Sequence, residues 1–396
     1  AAIFENKIIP DVAALKEMVG EGCWKQVTKF IETGMALRKP ADFAGAGWPA
    51  DNKHPWANKT LHEVMSEELK DEKARRYFET IIKSDLATET SSVNGTYGFD
   101  NYLVDEPEYC NIYTINGGIE RMIDALRDFV EPHTTIYLNA PVKHIHKKEN
   151  GMYKVVSSDE EKLVAEEFDC VLVCLPNQWL PSVDFGQDLH GAMKKHFSYY
   201  NYPAHYLKVA ALFETPFWRK KVGDGSYFRL DAFGGCCVYD ESSRYPSGEN
   251  GSLNWLIAGS NAEALANLED DLIITRAMES LPPDLAREAK KQIQEAYVHR
   301  WIGTVNAQPG GLPVVDIKEK HLPDPINHPN LVVVGDYLFD STINGLLDSS
   351  DLATTILLKH LEKLKPEYRE NPGKRKHKPN NFAVSNKVKY LLRRAR

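Results

Sequence analysis

The stretch from Leu331 to Leu361, LVVVGDYLFDSTINGLLDSSDLATTILLKHL, constrains the fold of this chain more than any other. Its first residues are apolar and mostly β-branched, which predicts a buried strand that ends at Gly335 and Asp336. After an Asn-Gly pair, leucine and alanine recur at helical spacing, so we expect a long amphipathic helix. A strand, an acid-bearing turn and a helix start predict a ligand site at the carboxyl end of the strand.

The spacing of apolar residues divides the rest of the chain into helix and strand. Polarity alternates around Asn150-Gly151, which predicts a hairpin that closes on a buried strand with the sequence DCVLVCLP. Residues 205–260 are expected to be rich in strand. Helical spacing is expected in residues 10–37, 57–85, 111–130 and 262–296.

The composition is that of an ordinary globular protein, with 396 residues of which 42% are hydrophobic and 26% charged. No apolar run reaches the length of a membrane span, and the N-terminus is no secretory signal. The chain lacks an initiator Met, so we expect a processed, trimmed or partial chain. The cysteines show no zinc-ligand spacing, and we interpret them as reduced core thiols of a cytoplasmic protein without a metal site.

Charge is concentrated at the C-terminus. Lys363–Arg396 contains twelve Lys/Arg and two Glu, whereas the whole chain has a net charge of −8, so the remaining residues are acidic. An acidic body argues against a nucleic-acid partner. The tail is interpreted as a solvated extension, with weak contact to an anionic membrane surface as an alternative.

Six short motifs follow one another in a recognisable order. In this order they resemble the flavin-dependent amine oxidase family, within the wider phytoene desaturase-like group, over residues 111–360. The resemblance implies an α/β fold in which a partial FAD-binding Rossmann-like domain is interleaved with a substrate domain of a mixed sheet and helices. The motifs are Gly117-Gly118, Pro141-Val142, Leu175-Pro176, Pro216-Phe217-Trp218, Trp301 ahead of Gly310-Gly311, and Gly335-Asp336.

The same resemblance implies a division of the chain into interleaved parts. The substrate domain would comprise residues 1–110, its helical part, and residues 189–318. The FAD-binding domain would comprise residues 111–188 and 319–365. Residues 366–396 would form a basic tail or linker.

The resemblance also implies a set of FAD-binding residues. Asp336 would accept hydrogen bonds from the ribityl hydroxyls. The backbone N–H groups of Asn344, Gly345 and Leu346 would face the pyrimidine end, where negative charge develops on reduction. In the alternative reading, Asp336 only closes a turn and Asn344 only caps the helix. The other positions implied at the cofactor are Gly117, Gly118, Val142, Pro176, Trp301 and Gly335.

Lys208 is the candidate catalytic residue. In HYLKVAALFETPFW it stands ten positions before Trp218, which is similar to the placement of the family's lysine near flavin N5. An ammonium group there would hold a water molecule that supports reoxidation by oxygen. The alternative is an ordinary strand lysine that is paired or points to solvent.

The chain departs from the family pattern in three ways. No Gly-x-Gly-x-x-Gly follows an N-terminal strand, and the nearest approach, Gly45-Ala46-Gly47, lies in a Pro/Trp-rich loop. The pyrophosphate-binding unit is therefore expected on a partner chain or in a lost segment, unless no cofactor is bound. Leu312 and Asn344 stand where substrate-facing aromatics are expected. No cysteine follows the Gly-Gly turn near Leu312, so FAD would be bound non-covalently.

These observations favour an FAD-dependent oxidoreductase that transfers hydride from a C–N or C–C bond of a small substrate to flavin N5. Two alternatives stay open: a non-catalytic or incomplete subunit that needs a second chain for nucleotide binding, and an interaction protein that uses its basic tail. His144 and His146 share one strand face with Lys148, and we interpret this face as solvated. A metal pair is the alternative, although no third ligand lies near them in sequence. Cys236 and Cys237 are interpreted as small strand residues beside a bend.

Overall fold

A computed structural model describes residues 2–40, 54–106, 108–109, 113, 115–159, 162–242, 250–313, 315–316, 319–339 and 341–364. The basic tail 366–396 and the Gly45-Ala46-Gly47 segment lie outside these residues, so the predictions made for them stay predictions. No helix among the described residues is long and apolar enough to cross a membrane.

The described residues form helices and strands in alternating blocks. The α-helices are α1 Val12–Val19, α2 Glu21–Leu37, α3 Leu61–Glu68, α4 Glu72–Leu86, α5 Gly95–Leu103, α6 Glu120–Val130, α7 Gly186–Tyr199, α8 Arg219–Val222, α9 Gly259–Leu265, α10 Asp270–Glu279, α11 Pro283–Gln292 and α12 Ile343–Leu364. The strands are β1 Ala2–Phe4, β2 Lys7–Ile9, β3 Val142–Lys147, β4 Tyr153–Asp159, β5 Lys162–Phe168, β6 Val171–Val173, β7 Pro203–Phe213, β8 Tyr227–Leu230, β9 Cys236–Asp240, β10 Gly251–Ala258, β11 Ile293–Asn306 and β12 Leu331–Val333.

The largest sheet has the strand order β11-β7-β10-β9-β8-β1-β2 and is mixed, since β1 runs parallel to β8 while its other pairs are antiparallel. Side chains alternate between its two faces. One face, with Val209, Trp255 and Ile257, packs on α9, α10 and α11 to form the main core. Helix α4 covers part of the other face, where the Ser84 hydroxyl accepts a hydrogen bond from the Cys237 amide at 2.7 Å.

Strands β1 and β2 were not predicted. They form a hairpin whose turn residues, Glu5 and Asn6, both have positive φ, at 50° and 61°. That backbone suits a type I′ turn, which usually has Asn-Gly or Asp-Gly at these positions. Glu-Asn lacks this signal, and the hairpin joins residues near the N-terminus to strands two hundred residues away.

Helices α2 to α5 pack around a second, aromatic core. Phe30, Phe78 and Phe99 are buried there, with edge-to-face contacts between Phe30 and the other two rings. Gly34 lies against Phe99 so closely that a Cβ atom would be 2.2 Å from the ring. Any side chain at position 34 would therefore push α2 away from α5.

The remaining strands form two smaller sheets. Strands β3, β4 and β5 make an antiparallel meander, and its first turn is the predicted Asn150-Gly151 hairpin. Strands β6 and β12 pair in parallel, and α12 packs on β12 through Ala353 and Leu357. The predicted α/β fold with a mixed sheet and helices is therefore confirmed.

Two predicted apolar surfaces are less buried than the sequence indicates. Leu172 on β6 is 45% exposed. Cys174, directly after this strand, is also exposed, so this cysteine is not the core thiol that we expected. Helix α6 has no buried residue, and Ile123 on its apolar stripe is 56% exposed. Cys23, Cys236 and Cys237 are buried as predicted. Among the described residues, nothing covers these faces of β6 and α6.

Candidate active site

The carboxyl end of the β6–β12 pair brings three predicted cofactor residues to one edge. Because the strands are parallel, with Val333 opposite Val173, the segments that follow β6 and β12 leave the sheet at the same side. Pro176 follows β6 there, and Gly335 and Asp336 follow β12. Such an edge is where ligands bind in parallel α/β sheets.

The backbone requires a residue without a side chain at position 335. A Cβ atom on Gly335 would lie 2.4 Å from the ring of Tyr337, and the Gly335 amide donates to the Ser349 hydroxyl of α12 at 3.0 Å. The next residue, Asp336, is partly buried, and its Oδ1 accepts from the Tyr337 amide at 2.8 Å. Gly335 thus lets the turn approach α12 and Tyr337 closely, and it positions Asp336 at the edge.

Tyr337 links this turn to α7. Its hydroxyl lies 3.1 Å from Nε2 of His196, and both side chains are buried. Burial, and to a smaller extent the nearby His321, lowers the pKa of His196 to about 3. His196 is therefore neutral at physiological pH and acts as a hydrogen-bonding core residue.

The start of α12 differs from the prediction in one respect. Thr342 caps the helix: its Oγ1 accepts from the Gly345 amide at 3.1 Å, and its carbonyl accepts from the Leu346 amide at 3.0 Å. Two of the three N–H groups predicted to face the flavin thus donate within the first helical turn, as helix capping requires. The backbone amide of Asn344 makes no hydrogen bond to the described residues, and its side chain is exposed.

The turn before α12 lies against the end of the large sheet. Ser341 donates to the carbonyl of Asn306 at the end of β11. The side chain of Asn306 accepts from Gln178 Nε2 at 2.5 Å, and Gln308 Nε2 donates to the Tyr337 carbonyl at 2.7 Å. The carboxyl edge of the parallel pair and the end of β11 therefore adjoin.

Lys208 lies in the middle of β7, paired with His299 on β11 and Leu256 on β10. Trp301 pairs with Tyr206, so Lys208, His299 and Trp301 share one face of the sheet. The His299 and Trp301 rings stack with centroids 5.6 Å apart. Lys208 is half-buried, and its ammonium group forms no ion pair or hydrogen bond within the part of the chain that the structure describes.

Strand β7 runs from the lysine to the region of the α12 start. Pro203 pairs with Asn306, where Ser341 also binds. Lys208 is five residues farther along β7, which at the rise of a strand is roughly 17 Å. Trp301, opposite Tyr206, lies between these two positions along the sheet, whereas His299 lies directly opposite Lys208.

The other predicted positions divide into two cases. Val142 is half-buried on β3 and packs in the same core as Val173 and Tyr337, close to the carboxyl edge. Gly117 and Gly118 have left-handed φ values of 87° and 95° and form a turn before α6. In the described structure this turn contacts none of the other predicted cofactor residues.

Sequence reasoning missed several residues of the site. Gln178 acts through a contact with Asn306 that joins segments far apart in the chain. Thr342 caps α12 within the first turn of that helix. His299 had a usable signal, because it alternates with Trp301 on a strand and must share its face. Nothing in the local sequence marked Asn306 as the residue that joins the two edges.

The residues present fit one end of an FAD molecule. Asp336 offers a carboxylate, and Asn344 offers a backbone donor at a helix N-terminus, where negative charge is stabilised. Beside Pro176, the buried Oδ1 of Asn177 and Oε1 of Gln178 have no hydrogen-bond partner among the described residues. The pyrophosphate end finds no glycine-rich cradle in this sequence.

A parallel strand pair that ends in an acid-bearing turn and a helix start lies beside a mixed sheet with a half-buried lysine on β7, the strand next to one edge. These features are those expected of a flavin-dependent oxidoreductase. The chain belongs to the family of flavin containing amine oxidoreductases, whose family model matches residues 21–357. Its fold and family make it an FAD-dependent oxidoreductase of the amine oxidase type.

Solved structures of amine oxidases have the same fold. Cyclohexylamine oxidase from Brevibacterium oxydans IH-35A is similar with a TM-score of 0.61 and 16% identity, over 85% of this chain and 75% of that one. A putrescine oxidase variant is similar with a TM-score of 0.65 and 16% identity, over 86% of this chain and 76% of that one. The comparison with curated proteins yields no match.

Proposed function

We propose that this protein oxidises a small substrate, with a primary or secondary amine as the first candidate, by hydride transfer from a C–N or C–C bond to non-covalently bound FAD. The observation that carries the proposal is Lys208, a half-buried strand lysine without a described partner, on the face it shares with Trp301 and His299. The flavin supplies the electron acceptor when it is bound.

The residues of the chain then have separate tasks. Asp336 accepts hydrogen bonds from hydroxyl groups at the carboxyl edge, and the Asn344 amide donates to the pyrimidine end. Lys208 holds a water molecule at its ammonium group. Trp301 and His299 form an aromatic wall that orients the substrate and suits a cationic amine.

Two measurements on the purified chain test this function. The chain is incubated with FAD, free FAD is removed by gel filtration, and the absorbance of the retained flavin is recorded. Primary amines, secondary amines and their alcohol analogues are then added without oxygen. We expect retained flavin that amines bleach and alcohols do not. Retained flavin that none of these substrates bleaches would contradict amine oxidation.

A second candidate function is that of an incomplete subunit. One observation that favours it is the exposed apolar stripe along α6, formed by Ile123, Leu126 and, at the N-cap, Ile119. The other is the exposed Leu172 on β6, which belongs to a parallel sheet with only two described strands. Parallel sheets are normally covered on both faces. We propose that polypeptide other than residues 1–396, with a strand and a glycine-rich helix start, covers them and binds the pyrophosphate.

Reconstitution distinguishes the two candidates. If the chain alone retains no FAD, but does so after a polypeptide with the Gly-x-Gly-x-x-Gly unit is added, the subunit reading holds. An Ile123→Lys variant should then retain no FAD even after the second polypeptide is added, because the lysine charge would be buried where that polypeptide packs on α6. Glu120→Lys, on the same helix but outside the apolar stripe, serves as the control. FAD retention by the chain alone, equal in the Ile123→Lys variant, would rule the subunit reading out.

A further inference from the structure

We propose that His144, His146 and Asp184 form a binding site for one Zn²⁺ or a similar late first-row divalent cation. The three side chains belong to β3 and to the segment just before α7. The proposed oxidation does not use them. The sequence shows only the His-x-His pair, because Asp184 is 38 positions from His146.

The distances agree with a metal-binding geometry. Oδ2 of Asp184 lies 3.1 Å from Nδ1 of His144 and 3.4 Å from Nε2 of His146. In a tetrahedral zinc site with bonds of about 2.0–2.1 Å, neighbouring ligand atoms are separated by roughly 3.3 Å. The three candidate ligand atoms all lie within 4.8 Å of one another. A cation between them would therefore need only small side-chain movements.

The backbone holds both segments in register. The Asp184 amide donates to the Lys143 carbonyl at 2.9 Å, and the Ile145 amide donates to the Asp184 carbonyl at 2.8 Å. On both segments the neighbouring side chains point inward, since Ile145, Val183 and Phe185 are buried in the same core. The alternation of apolar and polar residues leaves the two imidazoles and the carboxylate on the outer side, where they are about half exposed.

Gly186 orients the carboxylate. Its amide donates to Oδ1 of Asp184 at 2.9 Å, so Oδ2 faces the two imidazoles. Gly186 has a φ of 70°, and a Cβ atom there would lie 3.2 Å from Nδ1 of His146. The glycine thus allows both the turn and the approach of the His146 ring. Hydrogen bonds of this kind tune metal affinity by holding a ligand in one orientation.

The ligand set selects the class of cation. Two imidazoles and one carboxylate suit Zn²⁺, Co²⁺, Ni²⁺ and Cu²⁺, whereas Mg²⁺ and Ca²⁺ prefer oxygen ligands alone. Three protein ligands at a half-exposed position leave a fourth place for water. A bound cation would tie β3 to the start of α7, where the chain passes from the 111–188 segment to the 189–318 segment.

The test uses the full chain freed of metal with a chelating resin. Zn²⁺ is added against a chromophoric competitor, and bound zinc per chain is measured together with Tm. We expect one Zn²⁺ per chain and a zinc-dependent rise in Tm. His144→Ala, His146→Ala and Asp184→Asn should each lower the affinity at least about 10-fold and remove the rise in Tm.

His190→Ala is the matched control, because His190 is an exposed histidine of α7 outside the cluster. It should bind zinc as the parent chain does. Circular dichroism shows whether each variant is folded, and Asp184→Asn keeps the size of the side chain. Equal zinc binding in the parent and all three ligand variants would place the metal elsewhere, at exposed Cys174 for example, and would overturn the proposal. Absence of zinc binding by the parent would overturn it as well.

Discussion

The surroundings of the Lys208 side chain follow from the strands that pair with β7. The sequence placed it ten positions before Trp218, but a strand lysine usually reaches solvent or an acid. Pairing with β10 and β11 puts it between Leu256 and His299, away from any acid that the structure describes. An ammonium group in such surroundings is free to bind a water molecule. Its catalytic role stays a prediction.

Replacement of Lys208 by Met should slow reoxidation of the reduced flavin far more than reduction by substrate, because only the water-holding charge is lost. Stopped-flow absorbance measures the two half-reactions separately. Lys154→Met, at an exposed lysine on β4, should leave both rates unchanged. Unchanged rates in the Lys208 variant would reduce this lysine to an ordinary strand residue.

Asp336 is the second residue whose removal should be informative. Asp336→Ala should weaken FAD retention by roughly 10- to 100-fold, since hydrogen bonds to a charged group contribute about 1.5–3 kcal/mol. Asp336→Asn keeps an oxygen that accepts from the Tyr337 amide, so it should weaken FAD retention less than Asp336→Ala does. Flavin content after gel filtration measures the effect, and Tm shows whether the turn itself is damaged. Equal flavin content in parent and Ala variant would remove Asp336 from the cofactor site.

At the scale of elements, the Pro-Phe-Trp motif has a structural explanation. The indole of Trp218 is buried and donates to Oδ2 of Asp240 at 3.0 Å, and Arg219 donates to the same carboxylate at 2.7 Å. Asp240 ends β9, and Ser242 adds a further hydrogen bond from its amide. The carboxylate thus fastens the start of α8 to the end of β9, the central strand of the large sheet. The Trp of the motif therefore makes a tertiary contact that holds α8 against β9.

The hydrogen bonds to the Asp240 carboxylate predict a pH dependence of the free energy of unfolding. Burial raises the pKa of Asp240, but hydrogen bonds from Arg219, Ser242 and Trp218 outweigh it, so its pKa is lowered on balance. A lowered folded-state pKa contributes stability above the unfolded pKa of about 3.9, and this stability is lost as pH falls further. Asp240→Asn should therefore lower the free energy of unfolding by ~2 kcal/mol at pH 7 and by less at pH 3.

Urea unfolding of parent and variant at both pH values measures this difference. Asp188→Asn, at an exposed acid on α7, should change stability little at either pH. A loss in the Asp240 variant that is equally large at pH 3 would show that packing of the side chain, and not its charge, fastens α8.

On the scale of the whole molecule, the fold joins segments that are far apart in the chain. Strands from the first ten residues complete the same sheet as β7 to β11. The parallel pair β6–β12 likewise joins residues that are 160 positions apart. Both edges of the candidate site therefore depend on long-range pairing. The exposed faces of α6 and β6 offer apolar surface to further polypeptide.

The basic tail is predicted to act independently of the body. Deletion of residues 371–396 should leave flavin content and turnover unchanged and should reduce sedimentation with anionic vesicles at low salt. Each basic residue near such a surface contributes about 1 kcal/mol. Neutral vesicles and high salt provide the controls, since both remove the attraction. Loss of turnover on deletion would show that the tail packs on the body.

The sequence alone determined the local features of this protein. Apolar spacing set the helices and the Asn150-Gly151 hairpin, and the order of short motifs indicated the family. The resemblance also assigned both Pro176 and Asp336 to the cofactor site. These signals lie within a few residues of one another or follow from the order of the motifs.

Only the tertiary structure decided which distant side chains meet. Gln178 binds Asn306, 128 positions farther along the chain, and so brings the carboxyl edge of β6 to the end of β11. Asp184 completes a cluster with His144 and His146, because packing of a shared core aligns two separate segments. Such contacts are set by the burial of apolar surface over the whole chain, and no local pattern of residues encodes them.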